Sequence, residues 1–299
     1  MCIRDRLSDE NIIEYFCVEN IIKKYPPSGQ KQVLLVKHKT YGLTILKIVE
    51  GQSERVKREI DIVTGNNFNN VPRVLKVNDY QIGNQNGIYL LEEYIDGESL
   101  KKVLEQGKLS LKEAMDLTEQ LLKIIVQMEE KEIVHRDIKP DNIVRDRTGK
   151  WYLIDFGIAR ALNMNSLTMT EVQMGPHTPG YGAPELFQYS KKDIDSRADL
   201  FSLGVVVFEA VTGKHPFVRG DELNINEIWY NTVTVVPQSV VIDGDIDMQF
   251  MGLIQTLMQK HITRRPRTAK KALEWFYSVR REIELSLIHI SEPTRRSYI

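Results

Sequence analysis

Short β-branched runs separated by polar turns fill the first third of the chain, and helical periodicity takes over after it. Val33-Leu34-Leu35-Val36, Thr44 to Val49 and Ile88 to Leu91 have the length and branching of strands. Gly51 and Ser53 precede Glu54 to Val63, the one helical run expected in this part. From Ser99 onward the pattern is mostly helical. Ser110-Leu111-Lys112-Glu113 has the form of a capping box. Leu111, Ala114, Leu121, Ile125 and Met128 then recur at helical spacing. Further helices are expected near Asp199 to Thr212 and over Thr268 to Arg281, and no internal repeat or low-complexity tract interrupts them. The pattern predicts an α+β chain. A small β-rich lobe and its hinge, near Glu93 to Gly97, take residues 7–97, and a larger helical lobe takes 98–284.

Composition narrows the classes. The chain has 299 residues, 42% hydrophobic and 27% charged, and a formal net charge of -1 from 40 basic and 41 acidic residues. That balance gives no electrostatic reason to expect nucleic acid or an anionic membrane as a partner. Cys2 and Cys17, without a CxxC pair, offer neither a disulfide framework nor a structural zinc site, so a reducing, cytoplasmic compartment is expected. No apolar run reaches the roughly 20 residues of a membrane helix; Phe201 to Val211 is short and interrupted by Ser202, Gly204 and Glu209. The oligomeric state is left open.

The two ends look foreign to the rest. A DNA sequence encoding Met1 to Arg6 has a reverse complement that encodes Leu285-Ser286-Leu287-Ile288-His289-Ile290. Both strings resemble translated transposon ends from sequencing-library preparation, and Ser291 to Arg295 resembles the adapter that follows. Residues 1–6 and 285–299 are therefore expected to be artefacts; a charged tail and a frayed helix end are the alternative.

The strongest chemical signal is His135-Arg136-Asp137-Ile138-Lys139-Pro140-Asp141-Asn142, followed by Tyr152-Leu153-Ile154 and then Asp155-Phe156-Gly157. In order and spacing these resemble the eukaryotic-type (Hanks-type) serine/threonine protein kinase catalytic domain, in its bacterial form. The resemblance covers about Tyr15 to Ile283 and implies the two-lobed protein kinase fold with ATP in the intervening cleft. It implies Asp137 as the group that orients the substrate hydroxyl and takes its proton, and Lys139 as a cation at the transferring phosphate. Asn142 and Asp155 are implied as ligands of Mg2+, with Mn2+ as the alternative; hard oxygen donors suit such an ion.

In the small lobe, Thr44-Ile45-Leu46-Lys47 resembles the strand carrying the phosphate-binding lysine. A lysine between Leu46 and Ile48 in a buried strand needs a partner charge. On a helical projection Glu59 lies beside Val56, Ile60 and Val63 while Glu54 points away, which makes Glu59 the expected partner. The phosphate-covering loop departs from the family's G-x-G-x-x-G-x-V. With Val33 at the last position, Pro26, Ser28 and Lys31 stand where glycines would, and Gly29 lies between them. Lys31 is expected to supply a cationic contact in their place. Glu93-Tyr94-Ile95 resembles the hinge whose backbone binds adenine. Glu92 takes the position guarding the inner pocket, against solvent exposure as its plain alternative.

Supporting residues complete the resemblance. Thr178 matches the threonine that contacts the base and its lysine. Glu185, in Ala183-Pro184-Glu185, matches the glutamate paired with an arginine near the end, here Arg265. Asp199 resembles the helix-capping acid that braces the catalytic loop. Arg136 stands ready to pair with a phosphate on Ser166, Thr168 or Thr170, against a plain polar loop. ATP-dependent phosphorylation of protein serines and threonines, the chain itself included, is the function implied. A nucleotide-binding pseudokinase, raised by the poor glycine loop, is the alternative. A small-molecule kinase fits less well, because such enzymes usually lack Ala183-Pro184-Glu185 and the Asp199 helix.

Overall fold

The computed structural model describes residues 7–26, 31–51, 68–155, 178–187 and 194–291, with 287–291 described by backbone alone. The chain divides into two compact units, Met1–Asp96 with Asp155–Val172, and Gly97–Ile154 with Gln173–Ile299. The division at Asp96/Gly97 compares with the 97/98 boundary expected from the sequence, and Asp155 groups with the first unit.

The first unit is an antiparallel five-stranded sheet in the order β1-β2-β3-β5-β4. Its strands are β1 (Val18–Lys24), β2 (Lys31–His38), β3 (Gly42–Glu50), β4 (Val74–Ile82) and β5 (Gln85–Glu93). The three strands expected from the sequence lie within β2, β3 and β5. The short helix α1 (Asp9–Tyr15) precedes them, capped by the Ser8 hydroxyl, which accepts from Asn11 N at 3.2 Å. Side chains alternate between faces of a strand. Leu34, Val36, Leu46, Ile48, Tyr89 and Leu91 therefore share a core with Ile12 and Phe16 of α1 and its following turn. Phe16 meets the Tyr89 ring edge-on at 4.8 Å. Each fully buried Leu, Ile or Phe contributes about 1.5–3 kcal/mol.

The other face carries the chemistry. Lys31 pairs with Val49, Val33 with Lys47, Lys47 with Leu90 and Ile45 with Glu92. By that register Lys31, Val33, Ile45, Lys47, Val49, Ile88, Leu90 and Glu92 share one face, where Val49, Ile88 and Leu90 form a small apolar cluster. The expected helix over Glu54 to Val63 lies outside the described residues.

The second unit packs helices beside a small sheet of order β6-β7-β8, formed by β6 (Gly97–Ser99), β7 (Ile143–Asp146) and β8 (Trp151–Leu153). Its helices are α2 (Leu100–Gln106), α3 (Leu111–Glu129), α4 (Ser196–Thr212), α5 (Ile225–Thr234), α6 (Gln249–Leu257) and α7 (Ala269–Ser291). The capping box forms as expected: Ser110 Oγ accepts from Glu113 N at 3.3 Å, and Glu113 Oε2 accepts from Ser110 N at 3.2 Å. Almost every residue of α4 is buried, in keeping with a sequence apolar all round. One sequence expectation changes here. The N-cap of α4 is Asp195, whose carboxylate accepts from Arg197 N at 3.0 Å; Asp199 lies inside the first turn. Because Asp195 already serves the free N–H groups, Asp199 is left to point at another loop. Helix α7 continues beyond Arg281 to Ser291. Among the described residues, no helix is long and apolar enough to cross a membrane.

Gly87 sets how closely β5 approaches β3. A Cβ there would fall 2.0 Å from the Val49 carbonyl oxygen and 2.8 Å from Tyr80 Cε1. Gly87→Ala is expected to lower stability by about 1–3 kcal/mol, the usual cost of overpacking. Urea denaturation reads this, and an unchanged midpoint would contradict the close approach.

Candidate active site

In the second unit the catalytic-loop residues form one hydrogen-bonded group. Arg136 has a left-handed backbone, φ 63°, which is rare for a residue with a Cβ and costs about 1–3 kcal/mol. The buried Asp199 carboxylate offsets that cost by accepting from both His135 N and Arg136 N at 2.7 Å. Such charge-assisted bonds are among the strongest available to a loop. Asp199 thus braces the catalytic loop, although it does not cap its own helix.

The turn fixes Asp137. Its Oδ1 accepts from the Thr178 hydroxyl at 3.1 Å, and that hydroxyl accepts from Lys139 Nζ at 2.7 Å. Its Oδ2 lies 3.1 Å from Lys139 Nζ and accepts from Asn142 Nδ2 at 3.0 Å. Asn142 Nδ2 also donates to the Asp137 carbonyl at 2.9 Å. With its nitrogen committed to Asp137, the Asn142 amide turns its oxygen away from that carboxylate. The Asn142 carbonyl accepts from Ile154 N at 2.8 Å, which ties the loop to the end of β8.

The pair expected between Glu185 and Arg265 is present and bidentate, at 2.5 and 2.8 Å. Arg265 also donates to the carbonyls of Gln259 and Arg197 at 2.8 Å. Its guanidinium lies 4.9 Å from the Phe201 ring centroid, so the buried cation has partners on several sides.

In the first unit, Lys47 is 4% exposed and Glu92 8%. Their side chains pair at 2.6 Å, and Lys47 also donates to Asp155 Oδ1 at 3.1 Å. Lys31, at 5% exposure, forms a short ion pair with the same Asp155 oxygen. Burial alone would push the Lys47 ammonium down, but Glu92 and Asp155 outweigh it and raise it. Burial likewise opposes ionisation of Asp155, and Lys47 and Lys31 overcome it, holding the carboxyl well below its usual range. Lys31 is pushed down, by burial and then by the charge of Lys47. Asp155 also has a left-handed φ of 63°.

The expected partner of Lys47, Glu59, lies outside the described residues, as do Gly29, Ser166, Thr168 and Thr170. The exposed alternative for Glu92 does not hold, because the side chain is buried against a lysine. Glu93 ends β5 with Oε2 accepting from Arg73 N and Nε at 3.3 Å, and Ile95 follows half-buried. Among the described residues no cluster of three or more His, Cys, Asp or Glu could hold a metal. In the first unit the Asp155 carboxylate, kept ionised by two lysines, is a hard oxygen donor of the kind a divalent ion takes.

The family model of the protein kinase domain matches residues 31–277. The chain belongs to the protein kinase family, whose members use ATP and a divalent metal. Serine/threonine-protein kinase PknA of Mycobacterium tuberculosis is 40% identical over 161 residues, 52% of this chain and 36% of that protein. A probable serine/threonine-protein kinase of Streptomyces coelicolor is 31% identical over 208 residues, 69% of this chain and 30% of that protein. Serine/threonine-protein kinase PrkC of Bacillus subtilis is 36% identical over 148 residues, 49% of this chain and 22% of that protein. The chain thus spans 22% to 36% of the length of these relatives.

The segment after Thr178 is held by His215. Its Nδ1 accepts from Phe217 N and Val218 N at 3.0 Å, so that nitrogen must be unprotonated. The ring meets Tyr181 edge-on at 4.6 Å. Burial lowers its pKa from the ordinary 6.5 to about 4. A buried neutral histidine binds fewer protons than the unfolded chain between those values, so its contribution is intact above pH 6.5 and lost as pH falls toward 4. The loss expected by pH 4 is about 3 kcal/mol. Denaturation of the parent chain and His215→Asn across this range measures it. The variant should lose less stability on acidification; equal losses would contradict a buried neutral ring.

Proposed function

We propose that this domain transfers the γ-phosphate of ATP to serine and threonine hydroxyls of proteins, its own included. The observation that carries the reading is the fixed Asp137 carboxylate, held by Thr178 and Asn142 beside the Lys139 ammonium. The names of the bacterial relatives support the same activity.

The hydroxyl oxygen of the substrate forms a bond to the γ-phosphorus while the bond to the β-phosphate oxygen breaks, and ADP leaves. Asp137 orients that hydroxyl and accepts its proton; Thr178 and Asn142 keep the carboxylate from rotating. Lys139 meets the charge on the transferring phosphate. Lys47 and Lys31 hold phosphate oxygens, an assignment supported by two lysines converging on Asp155. Lys31 thereby supplies as a side chain what glycine amides supply in the family's usual loop. The backbone of Glu93 and Ile95 takes the adenine, and Val33, opposite Lys47, lines the nucleotide. Asp155 and Asn142 are the residues that would hold Mg2+, or Mn2+ in its place, and the bound ion would neutralise phosphate charge. Glu185, Arg265 and Asp199 keep the loops in place without touching substrate. A cytoplasmic location is in keeping with ATP as phosphate donor and proteins as acceptors.

Incubation with radiolabelled ATP, magnesium and a generic basic protein tests this. Label is expected on serine or threonine. Asp137→Ala is expected to lower transfer by about 100-fold or more while still binding the nucleotide. Label that persists undiminished in this variant, or no transfer by the parent chain with magnesium or manganese, would remove the enzyme reading.

A further inference from the structure

The sheet register offers Lys47 a carboxylate on the neighbouring strand. Lys47 stands opposite Leu90, and Glu92 lies two residues further along β5 on the same face. Such diagonal neighbours are within reach of long side chains. Here they close to 2.6 Å with both groups buried, while Asp155 is more distant at 3.1 Å and is shared with Lys31. From β2 the charged group facing Lys47 is Lys31, from β5 it is Glu92, and after β8 it is Asp155.

We propose that Glu92 is the positioning residue for Lys47, the carboxylate that holds its ammonium toward bound nucleotide phosphate. This rests on the kinase reading. Asp155 is the weaker partner, because the one oxygen it offers Lys47 at 3.1 Å is shared with Lys31, whereas Glu92 lies at 2.6 Å and serves Lys47 from the sheet itself. Lysine carries a flexible four-carbon stem, so a compact point charge must be steered by a partner on a rigid element. Glu92 is held in the sheet by its pairing with Ile45 of β3, one residue before the end of β5. The pair therefore ties the phosphate-binding cation to the strand that leads into the proposed adenine-binding backbone. Glu59, suggested by helical spacing in the sequence, is the competing assignment.

A double-mutant cycle on the whole chain separates these, read by the steady-state kcat and KM for ATP and, without any transfer, by the Kd of a non-hydrolysable ATP analogue with magnesium. Glu92→Gln keeps the side-chain shape and removes the charge. It is expected to raise KM and the analogue Kd about tenfold. Glu92→Asp keeps the charge on a shorter arm and is expected to recover part of that loss. With Lys47→Met in the background, Glu92→Gln should change the analogue Kd by no more than about twofold, because the pair is already broken. The proposal is overturned if Glu92→Gln changes neither quantity, if its effect is the same with Lys47→Met, or if Glu59→Gln alone shows this coupling to Lys47. A parent chain that transfers no phosphate, yet shows the coupling in analogue binding, removes the kinase reading and upholds the Lys47–Glu92 pair.

Discussion

A lysine ammonium cannot sit in an apolar sheet without matched charge, and Lys47 is such a group. Removing an ion from water costs several kcal/mol even after the surroundings relax. The first unit meets that cost with a local balance: Lys31 and Lys47 contribute two positive charges, Glu92 and Asp155 two negative ones. Three of these come from adjacent strands in one register, so the geometry that builds the sheet also builds the cluster. A neutral cluster suits a protein that must fold before its polyanionic ligand arrives. Under the proposed function, the cluster's two cations and the Asp155 carboxylate would change partners once phosphate and metal are supplied.

The second unit applies the same rule to different ends. Asp199 is fully buried and serves two backbone N–H groups of a strained turn, and Arg265 is buried and serves Glu185 and several carbonyls. Both act around α4, which is apolar on nearly every face and so has a fixed place in the core. Gly204 lets α4 come close to the end of α6; a Cβ there would meet Met258 Cγ at 2.8 Å and Leu257 Cβ at 2.9 Å. Close helix packing, a buried carboxylate and a left-handed arginine together present Asp137. The position of Asp137 thus depends on residues beyond its own hydrogen bonds.

Much of this was legible in the sequence because the motif residues act locally. Asp137, Lys139 and Asn142 lie within one turn, and Thr178 reaches them in the arrangement that the family resemblance implied. The strands carrying β-branched runs, the capping box of α3 and the Glu185–Arg265 pair were equally readable. Other elements were not: β1, β4, α1 and the β6–β8 sheet owe their form to pairing and packing that no short window contains. Asp199 was readable as a brace, but its supposed capping role belongs to Asp195, since a carboxylate four residues upstream competes for the same orphan N–H groups. Glu92 was the instructive case. Its burial follows from strand parity, because it shares a face with Leu90 and Ile88, and that parity identifies it as a neighbour of Lys47 once β3 and β5 are paired.

We read the cluster of buried Lys31, Lys47 and Glu92 with the partly exposed Asp155 as a nucleotide phosphate and metal site held in readiness. A crystal structure with a non-hydrolysable ATP analogue and magnesium tests it most directly. The account predicts that Asp155 ligates the ion, that Lys31 leaves Asp155 for a phosphate oxygen, and that Lys47 bonds phosphate while retaining Glu92. A nucleotide bound elsewhere, with the four side chains still paired to one another, would contradict it.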